Sequence, residues 1–366
     1  MQMFEEMAQM GHERVLVCSN PEVGLQAIIA VHSTTLGPAL GGVRMWSYTS
    51  FEEAMNDVLR LSRGMTYKAA AAGLNLGGGK AVIVGDSKKD KSEALFRAFG
   101  QYIDSLNGLY ITAEDVGIDV EDCETILTET PWVTGVSESH GGSGDPSPVT
   151  AYGVLQGMKA AVRKRFDADS LSGRTVAIQG LGSVGIWLAS YLAEEGAKVF
   201  GCDIDPEATA QAADEHGVEV VPTEEIYDVE CDVFAPCALG AILNDRTIPR
   251  LRCKVVAGAA NNQLDDEERH GQELAARGIL YAPDFVINAG GLINVYNELT
   301  GPYNRERALR MTRTIYLNMM RVFDIADEQG VTTAVAADRV AEERMAKIRA
   351  LGTRQWGRLI ARNHRK

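Results

Sequence analysis

The chain has 366 residues, 45% hydrophobic and 23% charged, with a formal net charge of −14. That length predicts two domains rather than one core, and the composition is that of an ordinary globular protein, not of a disordered chain. The acidic balance repels nucleic acid phosphates and anionic lipid, and no apolar run approaches a membrane span, so neither nucleic acid nor membrane is expected as a partner.

The N-terminal MQMFEEMAQMGHERV carries acids where a secretion signal carries bases, which predicts a cytoplasmic protein. From about Arg14 to Val31, two apolar runs flank the polar SNPEVG turn and read as a β-hairpin. GPALGGVRMW follows, and then Ser50 with Glu52 and Glu53 opens a helix whose Ala54, Val58, Leu59 and Leu61 suit one buried face. That helix delivers Met65 and Lys68 at its exit.

The next stretch, GLNLGGGK, ends in Lys80, twelve residues after Lys68. Gly77, Gly78 and Gly79 remove the Cβ atoms beside a lysine, so the backbone can approach a small ligand and the ammonium can be aimed at it. Lysine is readily made less basic by burial or by a second cation, which Lys68 could supply, and it then becomes a usable general base. A Gly-rich turn with a solvated lysine is the plain alternative. A phosphate-binding P-loop is excluded, because it requires a glycine at position 74 and Ser or Thr at 81, where this chain has Leu74 and Ala81.

KAVIVG is a strand, a second helix runs from about Ser92 to Leu106, and the short strand LYIT leads into TAEDVG. These alternations predict an α/β domain with a mixed sheet over about residues 1–140. HGGSGDPSPVT, residues 140–150, reads as a hinge, and Thr150 begins a helix.

RTVAIQ, GLGSVG and IWLASYLAEEG form a strand, a G-x-G-x-x-G turn and a helix, and the next strand, KVFGC, ends in Asp203. Together they make a full dinucleotide-binding unit. Gly180 makes the tight turn, Gly182 admits the pyrophosphate, and Gly185 lets the helix pack close; Leu181, Ser183 and Val184 complete the loop. Asp203 accepts from ribose hydroxyls and repels a 2′-phosphate, which favours NAD. Strands continue through VEVV, CDVFAPCA, KVVAGAAN and GILYAPD, as in a Rossmann-type doubly wound parallel sheet over residues 150–329, with Asn261, Asn262 and Asn288 just past strand ends. From about Asn304 the chain is helical, and residues 330–366 are expected to return to the first domain or to another subunit. The basic run from Arg358 to Lys366 reads as a solvated helix end.

Six cysteines without C-x-x-C spacing read as reduced core thiols, and six histidines without a ligand pattern point to no metal. A hydroxy acid dehydrogenase on the same cofactor fold would want a His–acid pair, and the nearest histidine, His140, has no evident partner.

GPALGGVRMW, GMTYKAAAAGLNLGGGKAVI, TAEDVG, GLGSVG, CDVFAPCALG, AGAANNQL and YAPDFVINAGG, in this order, resemble the superfamily of glutamate, leucine, valine and phenylalanine dehydrogenases, its leucine dehydrogenase branch above all. The resemblance implies NAD-dependent, reversible oxidative deamination of an L-amino acid to a 2-oxo acid and ammonia. It implies Lys80 as the lysine that activates water, Asp115 as the acid exchanging protons with the amino group, and Lys68 as the ligand of the substrate carboxylate. Asn262 would lie near the substrate amine, and Thr150 and Asn288 would orient the nicotinamide. The cofactor surface would also include Ile204, Ala238, Leu239, Ala260 and Asn261. Gly41 and Gly42 belong to the substrate site, where glutamate dehydrogenases carry a lysine just before the paired glycines. This chain has Leu40 there, and an apolar wall of Leu40, Met65, Ala113, Leu292 and Val295 favours leucine, isoleucine or valine over glutamate. Phenylalanine or valine dehydrogenase is the alternative, and a catalytically silent NAD-binding regulator a remote one. The resemblance also suggests a homo-oligomer, commonly an octamer.

Overall fold

The computed structural model describes residues 2–352; the basic run from Arg358 lies outside them. The chain divides into two compact units, one formed by the residues up to Asp145, Val295–Asn304 and the chain from Ala341, the other by Pro146–Asn294 and Arg305–Val340.

In the first unit, helix α1 (Gln2–Met10) precedes the hairpin β1 (Arg14–Asn20) and β2 (Leu25–Ser33), then β3 (Ala39–Leu40), β4 (Val43–Trp46), α2 (Phe51–Ala71), β5 (Gly77–Val84), α3 (Glu93–Ser105), β6 (Tyr110–Ile111) and α4 (Val120–Leu127). The sheet order is β1-β2-β5-β3-β6, with β4 also on β5. β1 and β2 pair antiparallel, as do β2 and β5, whereas β3 and β4 run parallel to β5 and β6 runs parallel to β3. The sheet is thus mixed.

Ser50 caps α2, its hydroxyl accepting from Glu53 N at 3.1 Å, and Ser92 caps α3 through Leu95 N at 3.2 Å. Ala54, Met55, Val58 and Leu59 of α2 pack on Ile28, Ala30 and Val82 of β2 and β5. Leu61, expected on that face, is only half-buried. The helix runs on to Ala71, so Lys68 sits in its last turns rather than past its end.

The glycine run is strand, not turn. Gly77, Gly78 and Gly79 are the first residues of β5, and the neighbours that exclude a Cβ there are protein. A Cβ at Gly77 would strike the Ser33 carbonyl, one at Gly78 the Thr66 backbone of α2, and one at Gly79 would lie 2.6 Å from the Tyr110 ring. The glycines let α2 and β6 close tightly around β5.

The second unit begins with α5 (Ser147–Phe166), three residues before Thr150, because Pro146 and Pro148 fit the first turn of a helix. β7 (Thr175–Gln179), α6 (Ser183–Glu194), β8 (Lys198–Cys202), α7 (Pro206–His216), β9 (Glu219–Val220), β10 (Val233–Pro236), β11 (Val255–Val256), α8 (Glu267–Ala276), β12 (Leu280–Tyr281) and α9 (Asp284–Ile287) follow. All neighbouring strands are parallel, in the order β12-β11-β10-β7-β8-β9. The chain starts at β7, winds outward through β8 and β9, and returns to the other side at β10, so the direction of winding reverses between β7 and β10.

Helices α10 (Gly290–Leu299), α11 (Arg305–Thr312), α12 (Thr314–Gln329) and α13 (Thr333–Arg349) complete the chain. The unit boundaries fall within α10, after Asn294, and within α13, after Val340. The six cysteines are free thiols, five of them buried and Cys237 half-buried. No helix among the described residues is long and apolar enough to cross a membrane.

Candidate active site

In the first unit the expected site residues lie at the end of β3 and in its link to β4, within β5, just after β6 and on α2. Leu40 is buried and pairs with Gly78 on one side and Ile111 on the other. Gly41 N donates to Ile111 O, and Gly41 O accepts from the Tyr110 hydroxyl at 2.6 Å. A Cβ on Gly41 would strike Gly79 O and come within 3.2 Å of Met65 Cγ, and one on Gly42 would strike Glu114 O and lie 3.0 Å from Asp115 Cβ. Backbone packing therefore dictates both glycines. Ala113 is buried and its carbonyl accepts from Val43 N.

Lys80 projects from β5 with its side chain only 6% exposed, and its Nζ lies 2.9 Å from Asp115 Oδ2. Burial holds Lys80 below the ordinary lysine range, although the neighbouring Asp115 pulls the other way. Burial alone would raise Asp115, but Lys80 and Arg44 outweigh it and keep the carboxylate ionised. Met65 and Lys68 stand one turn apart on α2, both half-buried.

Sequence reasoning missed the residues that support this pair. Arg44 Nε donates to Asp115 Oδ2 at 3.0 Å, and its Nη1 donates to Asp57 Oδ2, also at 3.0 Å. Arg344, on α13, donates to the carbonyls of Leu74 at 2.6 Å and Gly73 at 3.0 Å and to Asn75 Oδ1 at 3.1 Å. It clamps the turn that joins the helix of Lys68 to the strand of Lys80. Arg44 lies in GGVRMW, where its position opposite an acid could not be read from spacing.

In the second unit most of the residues expected to hold the cofactor follow the carboxyl ends of parallel strands, while Thr150 lies in α5 and Asn288 at the end of α9. Gly180 has φ +99° and abuts Ala238, while a Cβ on Gly185 would strike Gly180 O. At Gly182 a Cβ would meet no protein atom within 4 Å, so packing does not explain this glycine. α6 starts there without a side-chain cap, which leaves its first N–H groups available to an anion. Leu181 is buried, and Gly182 and Ser183 are exposed at the mouth of the loop with Val184 behind them.

Asp203 follows β8, and its Oδ2 accepts from Leu181 N at 2.7 Å, so the loop itself orients the carboxylate. Ile204 and Leu239 are exposed, at 93% and 76%. Ala260 is buried and Asn261 and Asn262 are exposed, Asn262 with φ 50°. Asn288 is buried; its Nδ2 donates to Asn261 Oδ1 at 2.8 Å and Ala259 O at 3.0 Å, and its Oδ1 has no partner among the described residues. Thr150 Oγ1 donates to Pro146 O, and Gly290 and Gly291 lie against Thr150. Leu292 and Val295 sit three residues apart on α10, on either side of the unit boundary.

His140 does have an acidic partner, Glu124, whose Oε1 is 3.1 Å from Nδ1. The pairing spans α4 and a later loop and is invisible to spacing; the imidazole is exposed. Asp245, His270 and Glu273 bring three potential metal-ligand types together. However, Arg269 already pairs with Asp245, and His270 Nδ1 accepts from Asp266 N, which leaves its Nε2 proton directed at Asp245.

The fold and both clusters define an α/β dehydrogenase with a dinucleotide-binding unit. Residues 12–132 match the family described as Glu/Leu/Phe/Val dehydrogenase, dimerisation domain, and residues 141–209 and 205–351 match Glutamate/Leucine/Phenylalanine/Valine dehydrogenase. The chain belongs to this family of amino acid dehydrogenases. It is 59% identical over 349 residues to a leucine dehydrogenase of Thermoactinomyces intermedius and 58% identical over the same length to one of Geobacillus stearothermophilus, covering 95% of each chain in both cases. A solved structure, that of L-tryptophan dehydrogenase from Nostoc punctiforme, matches with a TM-score of 0.85 at 48% identity, over 95% of this chain and 99% of that one.

Proposed function

We propose that the protein catalyses the reversible, NAD-dependent oxidative deamination of aliphatic L-amino acids, leucine foremost. The observation that carries this reading is the buried Lys80 ammonium, 2.9 Å from the half-buried Asp115 carboxylate, in a unit whose buried apolar residues include Leu40. NAD supplies the hydride acceptor. Once the hydride has left the substrate Cα, the iminium carbon is open to water; Lys80, shifted towards neutrality by burial, takes a proton from the water that adds there, and Asp115 exchanges protons with the amine, which leaves as ammonia when the 2-oxo group forms. Lys68 holds the substrate carboxylate as a point charge, and Asn262 serves with the cofactor residues of the second unit.

The bare approach at Gly182, the uncapped start of α6 and the orphaned Asn288 Oδ1 fit a dinucleotide with a carboxamide end. Gly180 to Gly185 would hold the pyrophosphate, and Asp203 would accept from the ribose hydroxyls, which favours NAD over NADP. Ile204, Ala238, Leu239, Ala260 and Asn261 flank the cofactor, and Thr150 and Asn288 orient its reactive ring. The first unit thus serves substrate binding and assembly and the second serves the cofactor, in a cytoplasmic homo-oligomer, an octamer by family resemblance.

Leu40, Met65 and Ala113 form the aliphatic wall of the first unit, to which Val295 of α10 also belongs. A glutamate side-chain carboxylate would meet no cation at Leu40, and its burial would be unfavourable. Purified protein with NAD and L-leucine at alkaline pH should form NADH, with kcat/KM highest for leucine among leucine, valine, phenylalanine and glutamate. Absence of turnover with every one of these would overturn the proposal, and a preference for phenylalanine would overturn its substrate assignment.

A further inference from the structure

Two cations converge on one carboxylate oxygen. Lys80 Nζ and Arg44 Nε both meet Asp115 Oδ2, at 2.9 and 3.0 Å. Behind Arg44 stands Asp57, whose Oδ2 takes both Arg44 Nη1 at 3.0 Å and the Tyr48 hydroxyl at 2.7 Å, while Arg60 Nη2 donates to its Oδ1 at 3.0 Å. The register of β4 on β5 creates this, because Val43 and Arg44 pair with Ala81 and Val82, the residues next after Lys80.

A lysine that is the sole counterion of a buried carboxylate is locked in its charged form, since losing its proton would strand the carboxylate. Arginine does not deprotonate in proteins, so Asp115 keeps a counterion here when Lys80 becomes neutral. We propose that Arg44 is a positioning residue for the Lys80–Asp115 pair, sharing Asp115 Oδ2 so that Lys80 can release its proton while the carboxylate stays fixed and ionised, and that Asp57 moderates its influence. The opposite directions within the pair, a lysine less basic than usual beside a carboxyl more acidic than usual, accord with this arrangement. The other titratable groups around the pair are Glu114, beside Asp115 in sequence, Asp57 and Arg60 on α2, and Tyr48, whose hydroxyl meets Asp57.

The proposal rests on the reading of Lys80 as the base, so its test carries two readouts. The first is the pH dependence of Lys80 acylation by an amine-reactive reagent, followed by mass spectrometry of the Lys80 peptide in the full-length protein. The second is the pH profile of kcat/KM for L-leucine. Arg44→Gln should move the Lys80 titration upward by on the order of one pH unit, lower turnover near neutrality about tenfold, and let it recover in alkali. Arg44→Lys should fall between Arg44→Gln and the wild type. Asp57→Asn should move the titration the other way, downward. A support that merely held the fold would change overall rate without moving the titration in opposite directions.

If Arg44→Gln leaves the titration unmoved, or both variants move it the same way, the role of Arg44 is refuted while the deamination reading stands. If the titrations move as stated but the wild type shows no deamination, the activity reading falls and the charge-sharing stands. Should Arg44→Gln not fold, Asp57→Asn decides alone: a downward shift supports the proposal, and no shift or an upward one overturns it.

Discussion

Replacing Gly79 with alanine tests whether the glycine run is a packing device around the strand that carries Lys80. An added Cβ would lie 2.6 Å from Tyr110 Cδ2, 3.0 Å from Cε2 and 3.2 Å from Ala39 Cβ. Ordinary contact begins at 3.4 Å, so the Tyr110 ring must retreat by about 0.8 Å, from 2.6 to 3.4 Å. The ring is fully buried and its hydroxyl is tied to Gly41 O and Thr112 Oγ1, so it has little room. Overpacking of this kind costs about 1–3 kcal/mol, or roughly 2–12 °C in Tm for a unit of this size. Lys80 is the next residue and Gly41 borders the proposed substrate wall, so kcat/KM should fall about 10- to 100-fold. Calorimetry and steady-state kinetics read the two effects. Tyr110→Leu in the same chain should relieve the clash and make the double variant less damaged than the sum of the singles. Gly64→Ala, on α2 with no atom near the new Cβ, is the control and should stabilise by up to about 1 kcal/mol. Wild-type Tm and activity for Gly79→Ala, or strict additivity with Tyr110→Leu, would refute the reasoning.

His32, bonded to Thr66 Oγ1 and Met10 O, is pushed down to about 4 by burial first, then by His12, Arg63 and Arg349. Its unfolded value is higher, so its contribution is fully present above about pH 6.5 and is lost as pH falls towards 4, by up to about 3 kcal/mol; urea midpoints should fall less with acid in His32→Asn, and equal falls would exclude the linkage. Leu40→Lys buries an ammonium that only an acidic side chain could partner, so leucine kcat/KM should drop at least about 100-fold and the glutamate-to-leucine ratio rise at least about tenfold. An unchanged ratio counts against Leu40 as a specificity wall. Gly182→Ala should leave the unfolding free energy within about 1 kcal/mol of wild type, because its Cβ meets no protein atom, yet weaken NAD binding at least about tenfold in a fluorescence titration; unaltered affinity would remove Gly182 from the cofactor site.

The cofactor unit was legible because its signals are local. Strand, glycine loop, helix and terminal Asp203 follow one another within about 30 residues, and each turn of that unit imposes its own residue type. Lys80 could be singled out from GLNLGGGK, but its partner could not. Asp115 reaches it only through the placement of β3 beside β5 and β6, and the family resemblance supplied what spacing did not. Arg44 and Asp57, thirteen residues apart, meet because α2 packs against the strands that β4 flanks. Glu124 and His140 meet in the same non-local way. The crossings between units within α10 and α13 left no mark either, because an amphipathic pattern reports that a helix has a buried face and not which body buries it.

The glycines show why a residue type can be read correctly and its cause wrongly. At Gly77, Gly78, Gly79, Gly41, Gly42 and Gly185 the atom that forbids a side chain belongs to the protein, and at Gly180 a positive φ adds to the same demand. Those positions specify the fold: they bring β3, α2 and β6 against β5, and the loop after β7 against α6. Gly182 differs, since its backbone is extended and its missing Cβ faces open space. As the N-cap of α6, Gly182 has a local reason to be glycine rather than alanine, and the open approach it leaves has room for a partner from outside the chain. A phosphate drawn up against the first N–H groups of that helix would be such a partner. By the same reasoning, the three glycines before Lys80 set the position of the ammonium rather than admit the ligand, and the chemistry of that lysine is set by what surrounds it: the burial that favours its neutral form, and the Asp115 carboxylate it shares with Arg44.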